Sequence, residues 1–223
     1  MSNPRNTALN VMMKIEQDNA YSNIALNNAI RENRLSGLDS SFVSALVYGV
    51  LERKITLDYI IRQYSKIPIR KIEPKTKMIL RLGILQLLFM DKIPESAAVN
   101  ESVNLAKKCK LQKSSGFING ILRSITRAEE KYKLPDKSDK ILYYSVKYSA
   151  PQELVKLWIN SYGELNTEKL LISLGGRPKI CARINTLKTD KNSLIAELAK
   201  DNVTAEQIPF LENAVSLTET GSI

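Results

Sequence analysis

The sequence contains no histidine, and its only cysteines, Cys109 and Cys181, stand far apart in unrelated surroundings. Without histidine the commonest general base and the commonest metal ligand are missing, and every Ser/His/Asp or Cys/His nucleophilic arrangement is excluded. Two isolated cysteines make neither a disulfide framework nor the paired spacing of a zinc site, so the expected compartment is the cytoplasm. Long apolar runs are lacking as well. The opening "MSNPRNTALNVMMKIEQ" is too polar for a signal peptide. "MILRLGILQLLFM" at 78–90 is interrupted by Arg81 and Gln86 and falls short of the roughly 18 residues of a membrane span, which predicts a buried core helix. No membrane partner is expected.

Phosphate-binding and acid–base signatures are equally scarce. Gly175-Gly176 follows a helical pattern and lacks the G-x-G-x-x-G spacing, there is no Walker lysine, and the acidic residues are scattered rather than paired. Cys109, in "KKCKLQ", has lysine neighbours that lower a thiol pKa, but a cysteine at a helix end is ordinarily an inert small hydrophobe, and both cysteines are read that way. The residues offer no self-sufficient active site and no metal site.

What the chain does carry is positive charge, concentrated in one stretch. Its net charge is +10. Lys and Arg number 6 against 6 Asp and Glu in residues 1–60, 17 against 7 in 61–138, and 10 against 10 in 139–223. A local excess of this kind raises both on-rate and affinity for a polyanion, so RNA or DNA is the natural partner. A solvated lysine-rich helical surface is the alternative.

At 223 residues, 43% hydrophobic and 25% charged, the chain has ordinary globular composition and room for two domains. Helical spacing of apolar residues persists through about residue 130. Leu9, Met12, Met13 and Ile15 open one stripe, and Ile24, Leu26, Ala29 and Ile30 a second. "SGLD" at 36–39 turns into a helix through Val43, Leu46, Val47 and Val50. Thr56 or Asp58 is expected to cap the helix of "LDYIIRQY", which Pro68 closes; Pro74 suits the first turn of the core helix. Pro94 and Glu95 begin the next, and Lys107, Lys108 and Lys110 end it, in keeping with the helix macrodipole. In "GFINGILRSITR" at 116–127, Phe117, Ile118, Ile121, Leu122 and Ile125 form an apolar face. Gly116 and Gly120 are expected to leave a strip where another helix approaches closely. Asn119, Arg123 and Arg127 make a polar stripe, either a ladder of satisfied surface groups or donors aimed at phosphates or a neighbouring domain. The polar "EEKYKLPDKSDK" at 129–140 reads as a linker. Beyond it come helices from Pro151 and through "NTEKLLISL", the latter ended by Gly175 and Gly176. A strand follows with Ile180, Ala182 and Ile184 on one face and Cys181, Arg183 and Asn185 on the other, then a helix capped by Asp190 and a short strand "VTAEQI".

The stretches "LVYGVLERKITLDYII", "LRLGILQLLFMDKIPESAAVNESVNLAKK" and "GFINGILRSITR", followed by "YSVKYSAPQELVKLWINSYGE" and "RPKICARINTLKT", resemble in order and spacing the N-terminal part of Sun/RsmB (Fmu) type 16S rRNA cytosine-C5 methyltransferases. The resemblance covers essentially the whole chain. It implies a mainly α fold, with a NusB-like helical bundle at 1–130, a linker at 131–145, and linker helices with a partial RRM-like α+β subdomain at 146–223. It also implies transfer of a methyl group from S-adenosylmethionine to cytosine C5, through a cysteine thiolate added to C6. The family's D-x-C-A-A-P-G-G-K-T donor loop and its P-C and T-C motifs have no counterpart here, so no catalytic or cofactor-binding residue is carried over. The chain is expected to be inactive alone, a monomer, and the RNA-holding front portion of such an enzyme, whose catalytic domain is a further expected partner. Alternatives are a stand-alone NusB-like RNA-binding module in transcription antitermination or ribosome assembly, and a domain that meets an acidic protein. The expected 16S rRNA contacts are Arg62, Arg70, Lys71, Lys75, Lys77, Lys107, Lys108 and Lys113, by charge. By resemblance, Arg5 of the first helix joins them, with Asn119 and Arg123 of "FINGILR" and Arg183 and Asn185 of "RINTLK". The last two would face either RNA or the catalytic domain.

Overall fold

Local chemistry sets the starts of the first helix and of the central one. Asn3 has extended backbone and its side chain accepts the Arg5 N–H at 2.9 Å, while Pro4 has no N–H to satisfy, so α1 runs Pro4–Asp18. Glu73 does the same for Lys75 N (3.1 Å) and Thr76 N (2.6 Å), with Pro74 in the first turn. The computed structural model describes residues 3–175 and 180–219. They fall into two units, Met1–Ile172 and Ser173–Ile223.

In the first unit α2 (Ser22–Glu32), α3 (Gly37–Glu52), α4 (Lys54–Tyr64), a 3-10 turn (Ile69–Lys71), α5 (Pro74–Phe89), α6 (Glu95–Lys108) and α7 (Gln112–Arg127) complete a helical bundle. α5 is its centre, touching α1, α3, α4, α6 and α7. Met78 through Gln86 are buried on every side of it, as an all-round apolar helix requires. The two polar interruptions are satisfied internally. Arg81, 2% exposed, donates from Nε and Nη2 to the two carboxylate oxygens of Asp58, each at 2.7 Å, with Glu16 3.5 Å from Nη1. Gln86 donates to Leu82 O at 2.8 Å and accepts from Arg5 Nε at 2.7 Å.

These pairs correct two expectations. α4 begins at Lys54, and neither Thr56 nor Asp58 caps it: the Thr56 hydroxyl donates to Val146 O at 2.6 Å, and Asp58 binds Arg81. A bidentate charge-assisted pair outweighs a local cap. Ile24, expected in a buried stripe, is 55% exposed, while Leu26 and Ala29 beside it are buried.

The polar stretch after α7 is tied to the bundle, since Gln63 exchanges hydrogen bonds with the Lys133 backbone and the Tyr64 hydroxyl donates to Lys131 O. α8 (Lys140–Tyr148) then packs on α4. α9 (Gln152–Leu174) is bent at Gly163, whose φ of +74° suits glycine, so the two helices expected beyond Pro151 meet at that kink. Tyr144 and Tyr148 donate to Glu164 and Glu168 at 3.0 and 2.8 Å, fastening α8 to the portion of α9 beyond the kink. Burial, then the bond to Glu164, pushes the Tyr144 phenol up to about 12. Gly176, expected with Gly175 as the helix stop, lies outside the described residues.

Glycine plays opposite parts along the bundle. A Cβ at Gly83 would stand 2.8 Å from a Leu122 methyl and 2.9 Å from Ser102 Oγ, so α5 meets α6 and α7 through the missing side chain. At Gly116 and Gly120 a Cβ would meet nothing within 4 Å, which corrects the expectation that another helix packs there. Gly83→Ala is therefore expected to destabilise by about 1–3 kcal/mol through overpacking. Gly120→Ala should stabilise by about 0.5–1 kcal/mol. Urea midpoints that shift in opposite directions for the two variants are the expected result.

The second unit is a small α+β layer. β1 (Ile180–Arg183), β2 (Thr204–Ile208) and β3 (Leu211–Glu219) form an antiparallel sheet in the order β1-β3-β2, with α10 (Lys191–Lys200) on β2 and β3. Asp190 caps α10 as expected, accepting from Asn192 N at 2.9 Å and Ser193 N at 3.0 Å.

Candidate nucleic-acid interface

The basic side chains of the bundle divide into those the fold uses and those it leaves in solvent. Arg5 is half-buried: its Nε is spent on Gln86, and its guanidinium lies 5.0 Å from the Phe42 ring centroid. Burial lowers its pKa against the opposing field of Glu101. Lys77, with a side chain 20% exposed, sits 4.0 Å from Glu16. That same carboxylate takes Lys54 at 2.7 Å. Burial works to raise the Glu16 pKa, but the Lys54 hydrogen bond and the charges of Arg81, Lys54 and Lys77 outweigh it and hold the group below the usual carboxylate range.

The others face water. Arg62 on α4, Arg70 and Lys71 on the 3-10 turn, and Lys107, Lys108 and Lys113 around the α6–α7 turn are all exposed; Lys75 is half-buried. None of these seven has an ion-pair partner among the described residues. Part of the set converges. Lys110, with φ of +60°, turns the chain between α6 and α7, so Lys107, Lys108, Lys110 and Lys113 flank one tight corner. Cys109 in that corner has its thiol against Asn6 Oδ1 at 4.0 Å, which ties the corner to α1. The charge of Lys75 reaches the same thiol from the start of α5. Burial nonetheless raises the Cys109 pKa, with Lys75 opposing and Glu73 adding, so the thiol is no activated nucleophile.

α7 extends the basic surface. Lys113, Gly116, Gly120, Arg123 and Arg127 are all exposed and recur at steps of three and four, one continuous side of a helix that contains no acidic residue. Asn119 lies half-buried at its margin. The exposed glycines thus belong to the basic side, a grouping the sequence pattern hid by assigning glycines and arginines to separate stripes. Arg62, on α4, and Arg70 and Lys71, on the 3-10 turn, stand on other elements of the bundle.

In the second unit Arg183 is exposed on β1, opposite Ala214 of β3. Asn185 is not on the strand. Its Oδ1 accepts from Leu187 N at 3.2 Å and its carbonyl from Lys188 N and Thr189 N, a side-chain-braced turn that explains why this residue type stands there.

Among the described residues no group of three or more His, Cys, Asp or Glu side chains is placed to hold a metal ion, and no helix is long and apolar enough to cross a membrane.

Residues 2–127 match the NusB family, and residues 150–223 match the RsmF/B-like methyltransferase ferredoxin-like domain. The chain is 35% identical over 213 residues to the probable ribosomal RNA small subunit methyltransferase B of Bacillus subtilis (strain 168), covering 96% of this chain and 47% of the relative. It is 30% identical over 126 residues to the transcription antitermination protein NusB of Ruminiclostridium cellulolyticum, covering 56% of this chain and 87% of that protein. The crystal structure of PH0851 shares the fold with a TM-score of 0.64 at 17% identity, over 98% of this chain and 49% of the other. The chain spans about half the length of the ribosomal RNA methyltransferases it matches.

Proposed function

For this chain, which belongs to the NusB family, we propose binding of small-subunit ribosomal RNA as the RNA-holding part of a cytosine-C5 methyltransferase. The observation that carries the reading is the basic surface formed by the α6–α7 corner and the exposed side of α7, where Lys107, Lys108, Lys113, Arg123 and Arg127 have no ion-pair partner among the described residues. Such a surface neutralises phosphates and releases counterions, and it positions RNA without reading bases. The exposed glycines let a sugar-phosphate chain approach the helix backbone between the cations. The methyltransferase names of relatives aligned over nearly the whole chain support ribosomal RNA as the polymer.

S-adenosylmethionine, which the family resemblance implies for a complete enzyme, does not fit the cleft that the described residues form in the second unit. A cleft of about 360 Å³ beside α10 is lined by Ile195, Ala199, Asn202, Val203, Thr204 and Ala205, with no carboxylate for ribose hydroxyls and no cation for the donor's carboxylate. No step of methyl transfer is assigned to this chain.

The test is a titration of a small-subunit rRNA fragment at increasing salt. With six or more phosphates engaged, log affinity should fall against log salt with a slope of about −4 or steeper, at roughly −0.7 per phosphate for single strands. A flat profile would overturn the reading. A second reading, a NusB-like module acting in antitermination, is favoured by the alignment that takes in 87% of an antitermination protein. Tighter binding to a transcript leader than to small-subunit rRNA would select it.

A further inference from the structure

Of the four phenylalanines, Phe42, Phe89 and Phe117 pack on the core of the bundle, whereas Phe210 in the second unit is 82% exposed. It stands at the tip of a hairpin. Ile208 of β2 is opposite Leu211 of β3, so Pro209 and Phe210 alone make the turn. Turns of this length ordinarily take glycine, asparagine or aspartate. Pro209 presets its own φ, and neither turn residue has a positive φ, so the backbone makes no demand that phenylalanine meets. Among the described residues no cation or second ring lies against the Phe210 ring. The ring does not stand alone. Ile184 N donates to Asn213 O at 2.9 Å, so the turn that follows β1 lies at the same end of the sheet as the hairpin. Gln207 donates to Asn192 and brings the start of α10 there too. That end presents Leu187, 96% exposed, and Leu211, 46% exposed, together with Phe210. Arg183 and Lys188 are exposed beside them and Lys191 is half-buried, none with an ion-pair partner among the described residues. The carboxylates of residues 183–192 and 207–213 are Asp190 and Glu212, and Asp190 is engaged by Asn192 N and Ser193 N.

We propose that this end of the sheet is a stacking site for unpaired bases of RNA, with Phe210 as the platform, Leu187 and Leu211 as its apolar flank, and Arg183 and Lys188 on the adjoining phosphates. The proposal rests on the RNA-binding reading above and extends it from phosphates to bases. Charge selects the occupant, because the cations here outnumber the carboxylates and so favour a polyanion. Chemistry narrows it to a single strand. An aromatic ring in water takes the face of a base, neighbouring cations follow the sugar-phosphate chain, and base preference is slight because every base has a π-face. Exposed Asn185, Thr186 and Asn213 interrupt the apolar surface at this end, which suits a base with polar edges rather than the continuous apolar stripe of a protein helix.

The probes are a short unstructured RNA of mixed sequence and an abasic strand of the same length, each titrated with the 223-residue chain. The two strands carry the same phosphates, so a preference for the first measures what the bases add. Phe210→Ala is expected to weaken binding of the base-bearing strand about fivefold or more, to leave the abasic strand bound as before, and to keep the slope of log affinity against log salt. Phe210→Trp should retain the preference, and Phe210→Leu, apolar without a π-face, should lose it as alanine does. Because the ring is 82% exposed, the unfolding midpoint of the alanine variant should stay at the wild-type value. Equal binding of the two strands by the wild type, or a preference that survives Phe210→Ala, overturns the proposal, and so does a lowered midpoint. Concentration-dependent self-association abolished by Phe210→Ala would give the tip to a second copy and overturn it as well. A flat salt profile for the wild type strikes the phosphate reading itself, whereas a steep profile with an indifferent Phe210→Ala strikes the stacking site alone.

Discussion

Asp58→Ala should lower the stability of the helical bundle by about 3–5 kcal/mol, measured by urea unfolding, because it strands a guanidinium that water cannot reach. Arg81 is 2% exposed and both of its short hydrogen bonds end on Asp58, while the 3.5 Å approach to Glu16 is a poor substitute. Removing the other partner is expected to cost less. In Arg81→Met the core keeps an unbranched side chain of similar length, and Asp58, 19% exposed, can be hydrated. The two variants should therefore differ, with the aspartate variant the weaker; equal losses would show that the pair contributes only through packing. The neighbouring Glu16 adds a dependence on pH. Its folded-state pKa lies below the ordinary value, so its contribution is complete above the unfolded carboxylate pKa and is lost as pH falls through the folded one. Glu16→Gln should flatten the acid limb of a stability–pH curve and leave the neutral plateau lower.

Replacing Lys107, Lys108 and Lys113 together by glutamine should weaken binding of small-subunit rRNA by about fifty-fold at 0.15 M salt, if each contacts one phosphate at a slope of about −0.7 per contact. The same variant should flatten the salt slope by about two units. All three side chains are exposed at the α6–α7 corner, so the urea midpoint should stay where it is. Lys77→Gln is the matched control. Its charge is already engaged by Glu16, and its loss should move stability more than RNA affinity. A triple variant with wild-type affinity and slope would remove the corner from the interface.

The helices were legible where burial is set by period alone. Val43, Leu46, Val47 and Val50, and later Ile118, Ile121, Leu122 and Ile125, lie buried as their spacing indicates. The same holds for the Asp190 cap, whose partners are two and three residues away. Position in the chain also located the excess of charge, a property that needs no coordinates. What escaped reading depends on partners remote in sequence. Asp58 and Thr56 look like caps until Arg81 and Val146, 23 and 90 residues away, take their side chains. Gly116 and Gly120 have the spacing of a packing strip, but periodicity gives only a face and says nothing of what stands opposite it. Asn185 alternates with its neighbours as a strand residue would, yet its own side chain braces a turn that ends the strand. The alternation does not reveal β3, because Asn213 stands on the face of Leu211, Val215 and Leu217 and Ala214 on the face of Glu212, Ser216 and Thr218. Of the thirteen candidate contact residues, Lys77, expected by charge, and Arg5, expected by resemblance, also make contacts inside the bundle, which neither a charge count nor a motif match can detect.

The position of α5 also orders events during synthesis. α1, α3 and α4 leave the ribosome before the surface on which they close has been translated, because that surface is made of residues 74–89. Until Phe89 has cleared the exit tunnel, the apolar stripes of α1, α3 and α4 lack the central helix on which they pack. The nascent chain therefore passes through an interval in which chaperone capture competes with closure of the bundle, and that interval ends when its fifth helix emerges.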